Sequence, residues 1–205
     1  MYKYLIFLLI LLVSCQPDID KSSLVGIQPY NDFPKDKTDT IAKVISEFYD
    51  LKTVILPEIQ LPKNAFTQVK SARYRADSLI KIQRRTKVDS LDFVNGLTHQ
   101  DISVTKKDNN GTIKSPAYKY ADWGIMGLAY CPGNSCIIST FRIKHPDKKK
   151  HFNRFKKVAV HEFGHNLGLP HCPNKNCVMT DAVESVATID NALLALCEAC
   201  TLKLK

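Results

Sequence analysis

At 205 residues, 44% hydrophobic and 24% charged, the chain has ordinary globular proportions and is long enough for one sizeable core, which excludes a fibrous, low-complexity or disordered protein. Lys and Arg number 29 against 20 Asp and Glu, a formal charge of +9. The excess is concentrated in two runs, Lys81 to Lys87 and Lys144 to Lys157, that read as solvated basic faces, so no nucleic-acid partner is expected.

The N-terminus, MYKYLIFLLILLVSCQPD, places Lys3 ahead of an apolar run from Leu5 to Val13. A helix that spans hydrocarbon needs about 20 apolar residues, so this run is too short and reads as the core of an export signal. LVSC resembles the lipobox of bacterial lipoproteins, whose cysteine becomes the first mature residue and carries the lipid. That resemblance implies a signal peptide over 1–14, a lipid anchor at Cys15 and a tether over 15–23. It also implies a location in the bacterial cell envelope, on the periplasmic or surface face of a membrane. The alternative is a plain secretory signal, for which no A-x-A-like cleavage site is evident. A single domain over 24–205 follows.

Leu24 to Tyr30 is a short apolar run closed by the turn-like PYNDFP, hence a first strand. Ile41, Ile45, Phe48 and Tyr49 recur at helical spacing behind Thr38 and Asp39 as caps. Thr53 to Ile59 is β-branched and strand-like, and ADSLIKIQRR is helical in pattern. DFVNGLTHQDISV reads as strand, and KKDNNGTIK contains an Asn-Gly tight turn. Trp123 to Ile143 reads as two strands joined by a Pro-Gly-Asn turn. From Phe152 to Leu167 the pattern is helical, with Phe155, Ala159, Phe163 and Leu167 on an apolar stripe and His161 and His165 on its neighbour beside Val158. VATIDNALLALCEACTLKLK is helical in pattern to the end. Alternating strands and helices before a helical end imply an α/β lobe and a smaller C-terminal lobe.

His161 and His165 at i and i+4 on one helix have Cβ atoms about 5 to 6 Å apart and can aim nitrogens at one ion. Zinc takes such ligands in a tetrahedron, and two from one helix leave two corners. Gly168 can end the helix in a left-handed conformation, letting the chain return His171 as the third ligand and leave the fourth corner to water. Glu162, next to His161, can take that water's proton without binding the ion. HExxH alone is a moderate signal; its extension through Gly168 and His171 is a strong one.

Neighbouring side chains in extended chain face opposite ways, so if His171 faces this ion, Cys172 faces away from it. Cys172 and Cys177 form C-x4-C, and Cys197 and Cys200 form C-x2-C, on one side of the expected terminal helix. Four thiolates in two close pairs suit a closed structural zinc; two short disulfides are the alternative in an exported protein.

The run HEFGHNLGLPHCPNKNCVM followed by CEAC is similar to the signature of the archaemetzincin family of metzincin zinc metallopeptidases. The resemblance implies a zincin-like α/β (α+β) fold: a twisted mixed sheet, an active-site helix and a small C-terminal lobe stabilised by zinc. It favours two zinc ions over disulfides, one catalytic on His161, His165 and His171, one structural on Cys172, Cys177, Cys197 and Cys200. Met179 would be the Met-turn residue below the imidazoles, with an ordinary core methionine as the alternative, and DWGIMGLAY looks like the family's edge strand. Peptide-bond hydrolysis of a peptide or protein substrate is the implied activity, with Glu162 as catalytic base and aminopeptidase-like action suggested for some members. The rival is a non-catalytic surface binding module stabilised by zinc, which would have no need of Glu162. Cys131 and Cys136 fall outside the signature; after export they could close a disulfide across CPGNSC, with two reduced thiols as the alternative.

Overall fold

A computed structural model describes residues 20–181 and 185–204, so the expected signal peptide, the expected anchor Cys15 and most of the expected tether lie outside the described residues. The strands are β1 (Leu24–Pro29), β2 (Lys52–Ile55), β3 (Phe66–Thr67), β4 (Arg73–Arg75), β5 (Phe93–Thr98), β6 (Ile102–Val104), β7 (Trp123–Ile125), β8 (Gly127–Ala129) and β9 (Ser135–Ser139). The helices are α1 (Lys35–Tyr49), α2 (Ala76–Thr86), α3 (Ala117–Tyr120), α4 (Lys148–Asn166), α5 (Val186–Asn191) and α6 (Glu198–Leu202).

Two mixed sheets form instead of one. The larger runs β2-β1-β5-β9-β8, parallel except for antiparallel β8; the smaller runs β3-β4-β6-β7. The stretch expected as one strand, 92–104, is two: β5 joins the larger sheet and β6 the smaller, turning at residues 99–101. The two-residue period of a strand explains how β9 serves both faces. Cys136 and Ile138 meet the core formed with α1 and α4, whereas Ile137 meets the core around α2. Along α4, Phe155, Ala159 and Phe163 are fully buried against that first core, as their spacing predicts.

Two helix boundaries differ from the sequence reading. Helix α1 starts at Lys35 behind Pro34, with no side-chain cap, so Thr38 lies inside it and its hydroxyl donates to the Pro34 carbonyl at 3.2 Å. Helix α4 starts at Lys148 because the Asp147 carboxylate accepts from the amides of Lys149 and Lys150 at 2.8 and 3.3 Å. A larger departure is the C-terminal segment. It is two short helices, and Ala192 to Cys197 between them is not helical. Cys197 is the extended residue preceding α6, so it and Cys200 do not share a helical face as their spacing suggests. The break coincides with the thiol cluster: the chain is out of the helix at Cys197, whose sulfur meets those of Cys172, Cys177 and Cys200.

Candidate metal centres and the cleft between them

Helix α4 carries His161, Glu162 and His165 and ends in a turn that aims the third histidine. Gly168 adopts φ +86, its amide donates to His165 O at 2.9 Å, and the Leu169 amide donates to Gly164 O at 3.0 Å. This is a Schellman closure, with a left-handed residue suited to glycine just past the helix. The reversed chain brings the ring nitrogens of His161, His165 and His171 within 4.8 Å of one another, as expected from the sequence.

The histidines are prepared as ligands. Nδ1–H of His161 donates to the Val178 carbonyl at 2.8 Å, and Nδ1–H of His165 to the Leu169 carbonyl at 2.7 Å. Those bonds fix the tautomers and leave two Nε2 lone pairs 3.1 Å apart. Two acceptors that close repel unless a cation lies between them, so the donor set fits a zinc ion. Burial, and then the neighbouring His165, hold His161 down at about 4, and burial lowers His165, so both stay neutral as metal ligands must. Asp181 Oδ2 lies 3.7 Å from His171 Nδ1.

Glu162 is buried, and burial pushes its carboxyl up to about 8; a divalent cation beside it would act in the opposite direction. Its carboxylate lies against the backbone of β8. A Cβ placed on Gly127 would stand 2.5 Å from Glu162 Cγ and 2.6 Å from Oε1, so glycine there is what makes room for it. Met179 packs against α4 in the same way: a Cβ on Gly164 would meet its sulfur at 2.6 Å. Met179 is fully buried, as either a Met-turn residue or an ordinary core methionine would be.

His171 lines the cleft and Cys172 faces the other way, into a second cluster. The sulfurs of Cys172, Cys177, Cys197 and Cys200 lie within 4.8 Å of one another; Cys172 Sγ and Cys197 Sγ are 3.6 Å apart. All four thiols are free, which fits the structural zinc and not the paired disulfides. The Cys197 amide donates to Cys177 Sγ at 3.3 Å. Hydrogen bonding, led by the Cys200 amide, brings the Cys197 thiol down to about 7, whereas burial pushes those of Cys177 and Cys200 up, so a bound zinc would itself have to draw off their protons.

Of the two readings of Cys131 and Cys136, the structure has the unpaired one. Cys136 is fully buried on the inner face of β9, whereas Cys131 is exposed and its thiol donates to the Leu169 carbonyl at 3.5 Å.

A cleft of about 830 Å3 runs past the histidines, with the whole stretch Trp123 to Ala129 along it. Sequence reasoning missed three contributors. The carbonyls of Val178 and Leu169 orient the histidines, and no side-chain pattern announces a carbonyl. Arg142 enters the cleft held by Asp101, a partner 41 residues away that only the folded chain reveals.

A model of peptidase family M54 matches residues 21–205. The archaemetzincin of Methanopyrus kandleri is 30% identical over 163 residues, 80% of this chain and 83% of that protein. The archaemetzincin of Haloquadratum walsbyi is 29% identical over 187 residues, 86% of this chain and 96% of that one. Among solved structures, the Methanopyrus kandleri archaemetzincin is similar with a TM-score of 0.72 at 26% identity, covering 90% of this chain and 94% of that chain. The Archaeoglobus fulgidus archaemetzincin has a TM-score of 0.70 at 23% identity, covering 88% and 99%; at that identity the likeness concerns the fold.

Proposed function

The chain belongs to peptidase family M54, the archaemetzincins, and is a zinc metallopeptidase; from that premise we propose how its residues divide the work and where in the cell they do it. His161, His165 and His171 would hold the catalytic zinc, and Cys172, Cys177, Cys197 and Cys200 the structural one. When bound, the catalytic ion supplies Lewis-acid chemistry, polarising the scissile carbonyl and making water acidic near neutral pH. The observation that carries the reading is the convergence of three neutral imidazoles beside the buried Glu162 carboxylate, at the wall of an open cleft.

Glu162 is the general base: its carboxylate takes the proton of the attacking water and returns it to the leaving amine. Strands β7 and β8 each end their sheet, so the wall they form has an edge to which an extended peptide can add as a further strand. That edge holds the scissile bond opposite Gly127, where Glu162 reaches the cleft. Glu162→Ala should retain the zinc content of the wild type and lose turnover of a peptide library by about a hundredfold or more. Undiminished, chelator-sensitive cleavage by that variant would refute the role.

Aminopeptidase-like action is the finer part of the proposal and rests on the family resemblance. Acetylation of the peptide N-terminus should then stop cleavage, and equal cleavage of blocked and free peptides would refute it. The protein is further proposed to be exported and held at the bacterial envelope by lipid on Cys15, a reading supported by the short apolar run and LVSC. Two or more acyl chains give stable anchoring, whereas one alone is marginal. Growth with labelled palmitate should label the wild type and not Cys15→Ser; equal labelling would overturn the anchor.

A further inference from the structure

We infer that Arg142 is a specificity residue that binds a carboxylate of the substrate, a reading that rests on the peptidase function proposed above. Glu162 reaches the cleft where Gly127 leaves room, and Arg142 does so at a second glycine of the same wall. A Cβ on Gly124 would stand 1.9 Å from Arg142 Cζ and 2.0 Å from Nη2, so the guanidinium lies flat against that backbone. Any side chain at 124 would expel it.

The guanidinium is also fixed from behind. Nε donates to Asp101 Oδ1 at 2.7 Å and Nη2 to Asp101 Oδ2 at 2.8 Å, a two-point clamp. Asp101 is itself held, since Arg73 Nε donates to its Oδ2 at 2.7 Å, and Arg73 Nη1 donates to buried Asp122 at 3.0 Å. One carboxylate is thus shared by two guanidinium groups. Arg142 retains 31% side-chain exposure and lines the cleft, and its Nη1 has no protein partner among the described residues. An arginine that only needed neutralising would be satisfied by Asp101 alone and would have no reason to sit on a bare glycine in a substrate channel. A clamped fork with one edge free is suited to a carboxylate, which it can bind by charge-assisted bonds without first losing side-chain freedom.

The position sets what is recognised. Gly124 on β7 and Gly127 on β8 lie on either side of a bend at Met126, so the two notches are at most about 10 Å apart, the span of three fully extended residues. A substrate extended along this wall would place at Arg142 a group no more than about three residues from the scissile bond. The ligand chemistry is therefore a carboxylate at one position of the peptide, from an acidic side chain or from a free C-terminus.

The test uses the zinc-loaded full chain and quenched fluorogenic peptides in which one Glu is moved through every position, each paired with its Gln counterpart, together with C-terminal acid and amide pairs. Expected is one position, or the free terminus, where the carboxylate raises kcat/KM by about tenfold or more, and loss of that ratio in Arg142→Gln. Preference for the side chain identifies the first source, preference for acid over amide the second. Binding is read separately by fluorescence anisotropy in Glu162→Ala, where the same carboxylate preference should appear and vanish on adding Arg142→Gln. If the wild type cleaves nothing, the peptidase reading fails while the anisotropy still judges Arg142. Should Arg142→Gln not fold, Gly124→Ala, which displaces the guanidinium while keeping its charge, must erase the same preference. Equal cleavage and equal binding of paired peptides by the wild type, or a preference that survives in both variants, overturns the inference.

Discussion

At the scale of single residues, the chemistry depends on room as much as on reactive groups. Glu162 is announced by its place in HExxH, but the vacancy that admits its carboxylate belongs to Gly127, 35 residues earlier in the chain. Gly127→Ala should push the carboxylate aside and lower kcat by about tenfold to a hundredfold while zinc content stays at the wild-type level, because a misplacement of about 1 Å is enough for such a loss. Paired kinetics and metal analysis check this. Parallel loss of zinc and activity would mean that the substitution disturbs the histidines instead. Nothing in a pattern of residue types shows which glycine faces which acid, so this part of the site was not legible before the fold.

At the scale of elements, α4 is set by its ends. Asp147 accepts from the amides of Lys149 and Lys150 at the head of a first turn made of three lysines, Lys148, Lys149 and Lys150, whose charges oppose the helix dipole. Asp147→Ala should therefore cost about 1 kcal/mol of stability, read as a lowered melting temperature. At the other end, Gly168→Ala places a Cβ at φ +86 and should cost about 1 to 2 kcal/mol. It should also weaken zinc retention, since the turn positions His171; competition with a chelator measures that, and wild-type retention would count against the turn's role. The apolar stripe of α4 and the glycine turn were readable because both follow from local geometry. The broken C-terminal helix was not. Its residues have helical spacing, and the local preference yields where Cys197 meets Cys172, 25 residues away.

At the scale of the molecule, the two metal centres share one segment. Between His171 and Thr180 the chain supplies a histidine ligand, two cysteines, the carbonyl that orients His161, and Met179. The Cys172 amide donates to the Met179 carbonyl at 2.8 Å and closes that loop on itself. Cys200→Ser should consequently reduce the zinc count from two towards one, lower the melting temperature, and weaken metal binding at the histidines although it touches none of them. Unchanged affinity at the histidine site would show the centres to be independent. The C-terminal lobe is also tied to α4 through Asp190, which accepts from Arg154 Nε and Nη2 at 2.6 Å each and lies 3.1 Å from Lys150 Nζ. The Arg154 hydrogen bonds hold the Asp190 carboxyl down at about 2, so its contribution to stability is present above the ordinary carboxylate range and lost as pH falls from about 4 through 2. Asp190→Asn should cost about 1 to 2 kcal/mol at pH 7, and the difference from wild type should narrow steadily below about pH 4 and close only as the pH falls past about 2. Melting curves of both proteins across that range test it, and a gap that does not change with pH would rule out the ion pair as its source.

The gathering of three histidines beside Glu162 and of four cysteines was set by spacing along the chain, because a helical turn, a glycine reversal and the alternation of extended residues are short-range geometry. The division into two sheets, the glycine notches and the Asp101 clamp on Arg142 came from packing. They join residues far apart in sequence, and such contacts exist only once burial and close approach select among the many arrangements that local rules permit.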